Sequence, residues 1–247
     1  MRSVVLDVGN TTVKAGFFDE EGHLTAVRRA PTVAEMRAEI AAFAPARAIV
    51  ASVDAPVASV ATAAGLAPEQ TVLFSADTPL PIRLDYATPH TLGADRVAAA
   101  VGAAYRFPAE AVLLVDAGTC LKCDWLTADG VFAGGAISPG LQLRYRALAE
   151  LTGRLPLVAP GAADQMPDWP GDSTENSIRA GVEIGLLSET LAFMEWGQTR
   201  WPGVRVVFTG GDSPWLGARL GAGGHRNFVV EPLLVLHGLY RILLFSC

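Results

Sequence analysis

The sequence predicts an α/β protein that uses one supersecondary unit twice. Three observations lead there. Residues 3–22, SVVLDVGNTTVKAGFFDEEG, read as a buried strand ending in Asp7, a polar turn, a second strand and a further turn. Residues 113–135, LLVDAGTCLKCDWLTADGVFAGG, repeat that order: an apolar run ends in Asp116, Gly118 and Thr119 follow, Lys122 matches Lys14, and TADG matches DEEG. Between and after the two copies, short apolar runs alternate with stretches of helical periodicity.

In chain order, Val4–Leu6, VKAGFFD and the segment 19–27 form an antiparallel meander. Residues 33–44 and 56–66 have helical patterns, and 47–55 and 71–76 read as strands, each with its turn. ADRVAAAVGAAY (94–105) is an alanine-rich helix with small residues on its packing face, and Pro108 stops the pattern. A domain boundary is placed near residue 110, giving domains 1–110 and 111–247. In the second half, 142–155 is helical, and 156–176 is a long loop rich in Pro, Gly and Asp, of a length that usually marks function or disorder. A long helix over 175–196 takes Ser173 or Thr174 as its cap. VRVVFTGGDSPWL (204–216) is a buried strand followed by Gly210, Gly211 and Asp212. LLVLHGLYRILLF (233–245) is a buried helix started by Pro232.

Composition narrows the function. The 247 residues are 51% hydrophobic, enough for a core without staples. Net charge is −6 with no lysine or arginine cluster, so no nucleic-acid partner is expected. No apolar run reaches the ~18 residues of a membrane span. The opening MRSVVLDVGN turns polar too soon for a signal peptide, and with three cysteines the expected location is the reducing cytoplasm.

A strand–turn–strand with glycine and threonine at the turn presents backbone N–H groups and hydroxyls together, a concave donor set suited to phosphate oxygens. An aspartate beside it suits Mg²⁺, which prefers oxygen ligands. Such residues also make ordinary hairpin turns, but two copies, each with aspartate ending a buried strand, favour the phosphate reading. The chain has no G-x-x-x-x-G-K-[ST] and no G-x-G-x-x-G after a strand, so P-loop and dinucleotide folds are not expected. Asp95 and Arg96 fall in the first turn of a helix. Aspartate is ordinary there; arginine is not, because the dipole at that end favours anions, yet an arginine so placed can bind a carboxylate or phosphate bidentately. CLKC (120–123) lies in a predicted strand without a second cysteine pair, so Cys120 and Cys123 are read as packed thiols.

Together these residues resemble the type III pantothenate kinases of bacterial coenzyme A biosynthesis. DVGNTTVK (7–14) is similar to that family's first phosphate motif, GADR (93–96) to its pantothenate motif and DAGTC (116–120) to its second phosphate motif. GGAISPG (134–140), TENSIRAGV (174–182) and FTGGD (208–212) match later motifs. The resemblance implies two RNase H-like domains, each a mixed sheet flanked by helices, with an ATP cleft between them, as in acetate kinase, sugar kinases and actin. It implies transfer of the ATP γ-phosphate to the primary hydroxyl of pantothenate.

By position, Asp7, Val8, Gly9, Asn10, Thr11, Thr12, Val13 and Lys14 would line the ATP phosphates, with Asp7 near Mg²⁺. Thr119 would contact ATP, and Gly210 and Gly211 would flank adenosine. Asp95 would be the catalytic base; Gly93, Ala94 and Arg96 would hold pantothenate, with Tyr86 and Thr174 as further contacts. Asp116 would bind a monovalent cation, K⁺ or NH₄⁺, although Lys122 lies near that position and its ammonium could replace the metal. A homodimer is implied, with each pantothenate pocket closed partly by the neighbouring subunit, a purpose for the 156–176 loop. The competing readings are a kinase of another small alcohol such as a sugar, a regulatory ATP-binding protein of the same fold without turnover, and a phosphohydrolase.

Overall fold

Strand β1 (Ser3–Val8) is buried along its whole length, which is why its sequence is apolar on both faces rather than alternating. It pairs antiparallel with β2 (Val13–Phe18), which pairs antiparallel with β3 (Leu24–Ala30). On its other side β1 pairs parallel with β4 (Arg47–Ser52), and β4 with β5 (Thr71–Leu73). The sheet order is β3-β2-β1-β4-β5. Val4, Leu6 and Val8 project to one face, where they meet Met36 and Ile40 from the segment of α1 (Arg37–Phe43) and Val60 of α2 (Val57–Ala64). With a period of two, Val5 and Asp7 take the opposite face.

The structure, a computed structural model, describes residues 1–246. It divides into one unit made of Met1–Pro108 and the segment from Leu234 onward, and a second made of Ala109–Leu233. The first unit also holds the two-residue strand β6 (Arg83–Leu84) and helix α3 (Ala94–Arg106).

The second unit repeats the first. Its strands are β7 (Val112–Ala117), β8 (Cys120–Leu126), β9 (Val131–Pro139), β10 (Arg205–Thr209) and β11 (Val229–Val230). They run β9-β8-β7-β10-β11, the order and the parallel and antiparallel pairings of the first sheet. Leu113, Val115 and Ala117 face a core built with α4 (Leu141–Leu151), α5 (Thr174–Arg200) and α6 (Ser213–Ala222). That phase matches Val4, Leu6 and Val8, and it leaves Asp116 on the face that Asp7 occupies in its own unit. The duplication read from sequence is therefore a duplication of topology and side-chain phase.

Three boundaries differ from the sequence reading. α4 ends at Leu151 rather than 155, and α5 runs on to Arg200. The larger difference is α7 (Leu234–Phe245), which the sequence reading placed with the second half and which packs on α3 of the first. The cause is close helix contact through small residues: a Cβ on Gly238 would lie 1.7 Å from the carbonyl oxygen of Ala98. Tyr240 then stacks on Phe18, ring centroids 4.1 Å apart. Glycine and alanine on the facing surfaces give the helix no apolar signature that names its partner, so periodicity alone could not assign it.

Candidate active site

In the first unit the β1–β2 ladder sets Asp7 directly across from Lys14. Between Val8 and Val13 the chain turns through Gly9, Asn10, Thr11 and Thr12, closed by the Gly9 amide donating to the Thr12 carbonyl at 3.2 Å. Asn10 and Thr11 are exposed at the tip, whereas Asp7 is only 9% exposed at the strand's end. A buried carboxylate offers the hard oxygen that a divalent cation such as Mg²⁺ prefers, so Asp7 fits such a cation, and the turn beside it is exposed.

The same unit carries the second group of sequence candidates. Gly93 is the N-cap of α3, and Ala94 begins the helix, buried. Asp95 turns back so that its Oδ1 accepts a hydrogen bond from the Arg96 amide at 2.9 Å, an amide that also donates to the Gly93 carbonyl at 3.1 Å. A Cβ on Gly93 would come 2.6 Å from that Oδ1, so the position must stay free of a side chain for the carboxylate to lie where it does. Arg96 is 5% exposed; its guanidinium lies over the Tyr86 ring, 5.6 Å from the centroid, and Nη1 donates to the tyrosine hydroxyl at 3.4 Å. Tyr86, Gly93, Ala94, Asp95 and Arg96 thus form one cluster: a carboxylate, a rigidly held guanidinium and an aromatic wall.

In the second unit the corresponding turn is shorter, Gly118 and Thr119 alone between β7 and β8. Gly118 donates to the Cys120 carbonyl at 3.1 Å, and the Gly140 amide donates to the Thr119 carbonyl at 3.0 Å. Gly140 is pressed against this turn; a Cβ there would sit 2.0 Å from the Gly118 oxygen. Gly210 follows β10 with φ +90, and a Cβ on it would lie 2.3 Å from both the Ala117 carbonyl and Asp116 Oδ1. The Asp212 amide donates to the Ala117 carbonyl at 2.9 Å, and Ser213 Oγ to the Gly210 carbonyl at 2.8 Å. Asp116, Thr119, Gly210 and Gly211 are therefore neighbours at the ends of two adjacent parallel strands. Thr174 stands elsewhere, at the first turn of α5, on the rim of an open apolar groove with Pro139, Leu143, Arg144, Ile178 and Gly181.

The sequence reading holds Gly140 only as the end of GGAISPG, with no role, and does not single out Arg144. Gly140 buttresses the second turn and caps α4; Arg144 pairs with Glu189 and donates to the Pro139 carbonyl at 2.8 Å, fixing the groove wall. A glycine between Pro139 and a helical pattern was the available signal for the first. Cys123 is fully buried and Cys120 half-buried, both as free thiols. Burial, aided by the nearby carboxylates of Asp124, Glu189 and Asp116, pushes the Cys123 thiol well above its ordinary range.

The loop between α4 and α5 is held by a buried network. Glu183 accepts from the Tyr145 hydroxyl at 2.9 Å and from the Gly161 amide at 2.7 Å, and it pairs with Arg219. Trp215 Nε1 donates to the Gly161 carbonyl at 3.1 Å. Both Glu183 and Arg219 are almost fully buried.

Comparison with known proteins places the chain in a family. The family model for type III pantothenate kinase matches residues 3–194. A type III pantothenate kinase of Cytophaga hutchinsonii is 37% identical over 98% of both chains. One from Bacteroides fragilis is 36% identical over 98% of this chain and 97% of its own. Among solved structures, a Campylobacter jejuni protein provisionally named a Baf-family transcriptional activator superposes with TM-score 0.62 at 18% identity over 98% of both chains. A Streptomyces griseus ROK-family glucokinase solved with glucose and AMPPNP superposes at 0.53 with 14% identity, over all of this chain and 99% of its own. At those identities the structural likeness is one of fold, the fold of sugar kinases. The sequence relatives go further: with a family model spanning most of its length and near-full-length relatives above one-third identity, the chain belongs to the type III pantothenate kinase family.

Proposed function

We propose that the protein phosphorylates the primary hydroxyl of pantothenate with ATP, the first step of coenzyme A biosynthesis. The observation that carries this reading is the Asp95–Arg96–Tyr86 cluster in the unit that also holds the first phosphate loop. Arg96 supplies a fixed fork for the pantothenate carboxylate. Asp95 supplies the base: it takes the hydroxyl proton as the oxygen forms its bond to the γ-phosphorus and the bond to the ADP oxygen breaks. Most of the rate enhancement then comes from positioning and charge neutralisation, as is general for phosphoryl transfer.

The remaining roles follow from the same reading. The amides and hydroxyls of residues 8–14 cradle phosphate oxygens, and Asp7 holds Mg²⁺, which when bound neutralises charge on the phosphates. Thr119 adds a hydroxyl to a second phosphate contact, and Gly210 and Gly211 give adenosine a flat backbone surface. Thr174 is a further pantothenate contact, the protein acts as a homodimer whose second subunit partly closes the pocket, and the site of action is the cytoplasm.

The test is ATP consumption with and without pantothenate, for the wild type and Asp95→Asn. Turnover that requires pantothenate and collapses in the variant supports both activity and base. Turnover that survives moves the base elsewhere. No pantothenate dependence in buffer holding Mg²⁺ and K⁺ overturns the reading and favours a sugar kinase or a protein that binds ATP without turnover.

A further inference from the structure

The second turn does not fit a metal cation. Asp116 and Lys122 are cross-strand partners on β7 and β8, and Lys122 Nζ lies 2.7 Å from Asp116 Oδ2. Both side chains are largely withdrawn from water, at 14% and 11% exposure. A monovalent metal ion held by Asp116 would have to share the carboxylate with an ammonium already in hydrogen-bond contact, and two cations on one buried carboxylate repel in a poorly solvated setting. The other flank is closed by Gly210, whose missing Cβ would sit 2.3 Å from Asp116 Oδ1.

We propose that the Lys122 ammonium is a built-in monovalent cation, so that the protein works without K⁺ or NH₄⁺. The inference rests on the kinase reading above. An ammonium and a desolvated potassium ion are of similar size and both gather oxygen ligands. A tethered ammonium places one positive charge at the second turn, beside Thr119, without a dissociation equilibrium. The shortness of that turn contributes: with only Gly118 and Thr119 between the strands, the ladder continues to Ala117 and Leu121 and sets Lys122 opposite Asp116. Removing the lysine side chain leaves the Asp116 carboxylate without its ammonium, and one further oxygen stands on the adjacent strand. Thr209, in register with Asp116 on β10, has a buried hydroxyl with no hydrogen-bond partner among the described residues.

The experiment compares wild type, Lys122→Ala and Lys122→Gln in buffers of equal ionic strength whose monovalent cation is tetramethylammonium, Na⁺, K⁺ or NH₄⁺. Wild-type turnover is expected to vary by no more than about twofold across them. Lys122→Ala is expected to lose at least about tenfold in tetramethylammonium and to regain activity, saturably, with K⁺ or NH₄⁺. Thermal unfolding gives a readout that needs no turnover: K⁺ should raise the melting temperature of Lys122→Ala saturably and leave wild type unmoved, since a ligand that binds only the folded state stabilises it. Wild-type activity that collapses without K⁺, or a wild-type melting temperature that climbs with it, overturns the proposal. So does a variant indifferent to every cation in both readouts, which would make the ion pair a structural contact. Lys122→Gln, which keeps most of the volume, shows whether a loss comes from charge or from packing. A protein with no pantothenate-dependent turnover in any buffer would sink the kinase reading, while the melting curves would still decide the cation question.

Discussion

Asp95 Oδ1 accepts the Arg96 amide while the Arg96 side chain leads away to the ring and hydroxyl of Tyr86. One helical turn thus aims a carboxylate and a guanidinium in separate, fixed directions. The carboxylate is oriented by the backbone amide of the residue that carries the guanidinium, so the base and the fork proposed for them can be tested apart.

Asp95→Asn keeps the shape and the hydrogen bond to the Arg96 amide but cannot take a proton. A fall in kcat of about 10²–10⁴ with a nearly unchanged pantothenate KM is expected. Arg96→Lys keeps the charge and loses the fork, and should mainly raise the pantothenate KM. Steady-state kinetics on the two variants separates the roles; a large KM change in Asp95→Asn would contradict the division.

Gly210→Ala places a methyl against both the Ala117 carbonyl and Asp116 at a backbone angle that L-residues avoid. The strain alone is about 1–3 kcal/mol. The turn will relax by moving away from the Asp116 end, so a raised ATP KM is expected along with a lower melting temperature. Gly211→Ala, where no atom lies within 4 Å of the added Cβ, is the matched control and should leave the fold's stability close to wild type.

Glu183→Gln leaves Arg219 charged and buried with its strongest partner gone. Breaking a buried pair by removing one member costs about 3–5 kcal/mol. Chemical denaturation should show that loss, and Glu183→Gln with Arg219→Met together should cost less than the sum of the two single changes. Because the Gly161 amide also ends on Glu183, limited proteolysis should cut the 152–173 segment faster in the variant.

Cys123 provides a pH signature. Its thiol pKa is raised in the folded protein, so above the ordinary thiol range of about 8.5 the unfolded chain releases a proton that the folded chain retains. Folded stability contributed by the neutral thiol is complete below that range and falls as pH rises. The melting temperature should drop between about pH 8 and pH 10, and Cys123→Ala should flatten the fall. The same burial predicts that a thiol reagent modifies Cys123 only after unfolding.

The parts legible in the sequence were those with local signatures. Asp7 and Asp116 each end a buried strand and are followed by glycine and threonine, and both turns sit where that pattern put them. Asp95 and Arg96 open a helix, as their spacing after Gly93 indicated. What was not legible came from distance in the chain. The sequence reading already has Lys122 near the Asp116 position; that its ammonium contacts the carboxylate directly depends on how many residues the turn consumes, and only the register shows it. Gly140 acts on a turn more than a dozen residues upstream, and Glu183 joins Tyr145, Gly161 and Arg219 from four separate segments. The placement of α7 was missed for a related reason: its binding surface on α3 is made of alanine and glycine, which carry shape but little hydrophobic pattern.

The position of α7 has a consequence for how the polypeptide is made. The second unit is one continuous stretch and holds all its strands and helices once Leu233 has been synthesised. The first unit is begun earlier and completed later: until the segment from Leu234 emerges, the surface of α3 around Ala98 and the ring of Phe18 stay uncovered. Order of synthesis and order of completion are therefore reversed. During translation the nascent chain carries an amino-terminal unit that has all the strands of its sheet but lacks its last helix, an interval in which exposed apolar surface invites misassembly or a chaperone.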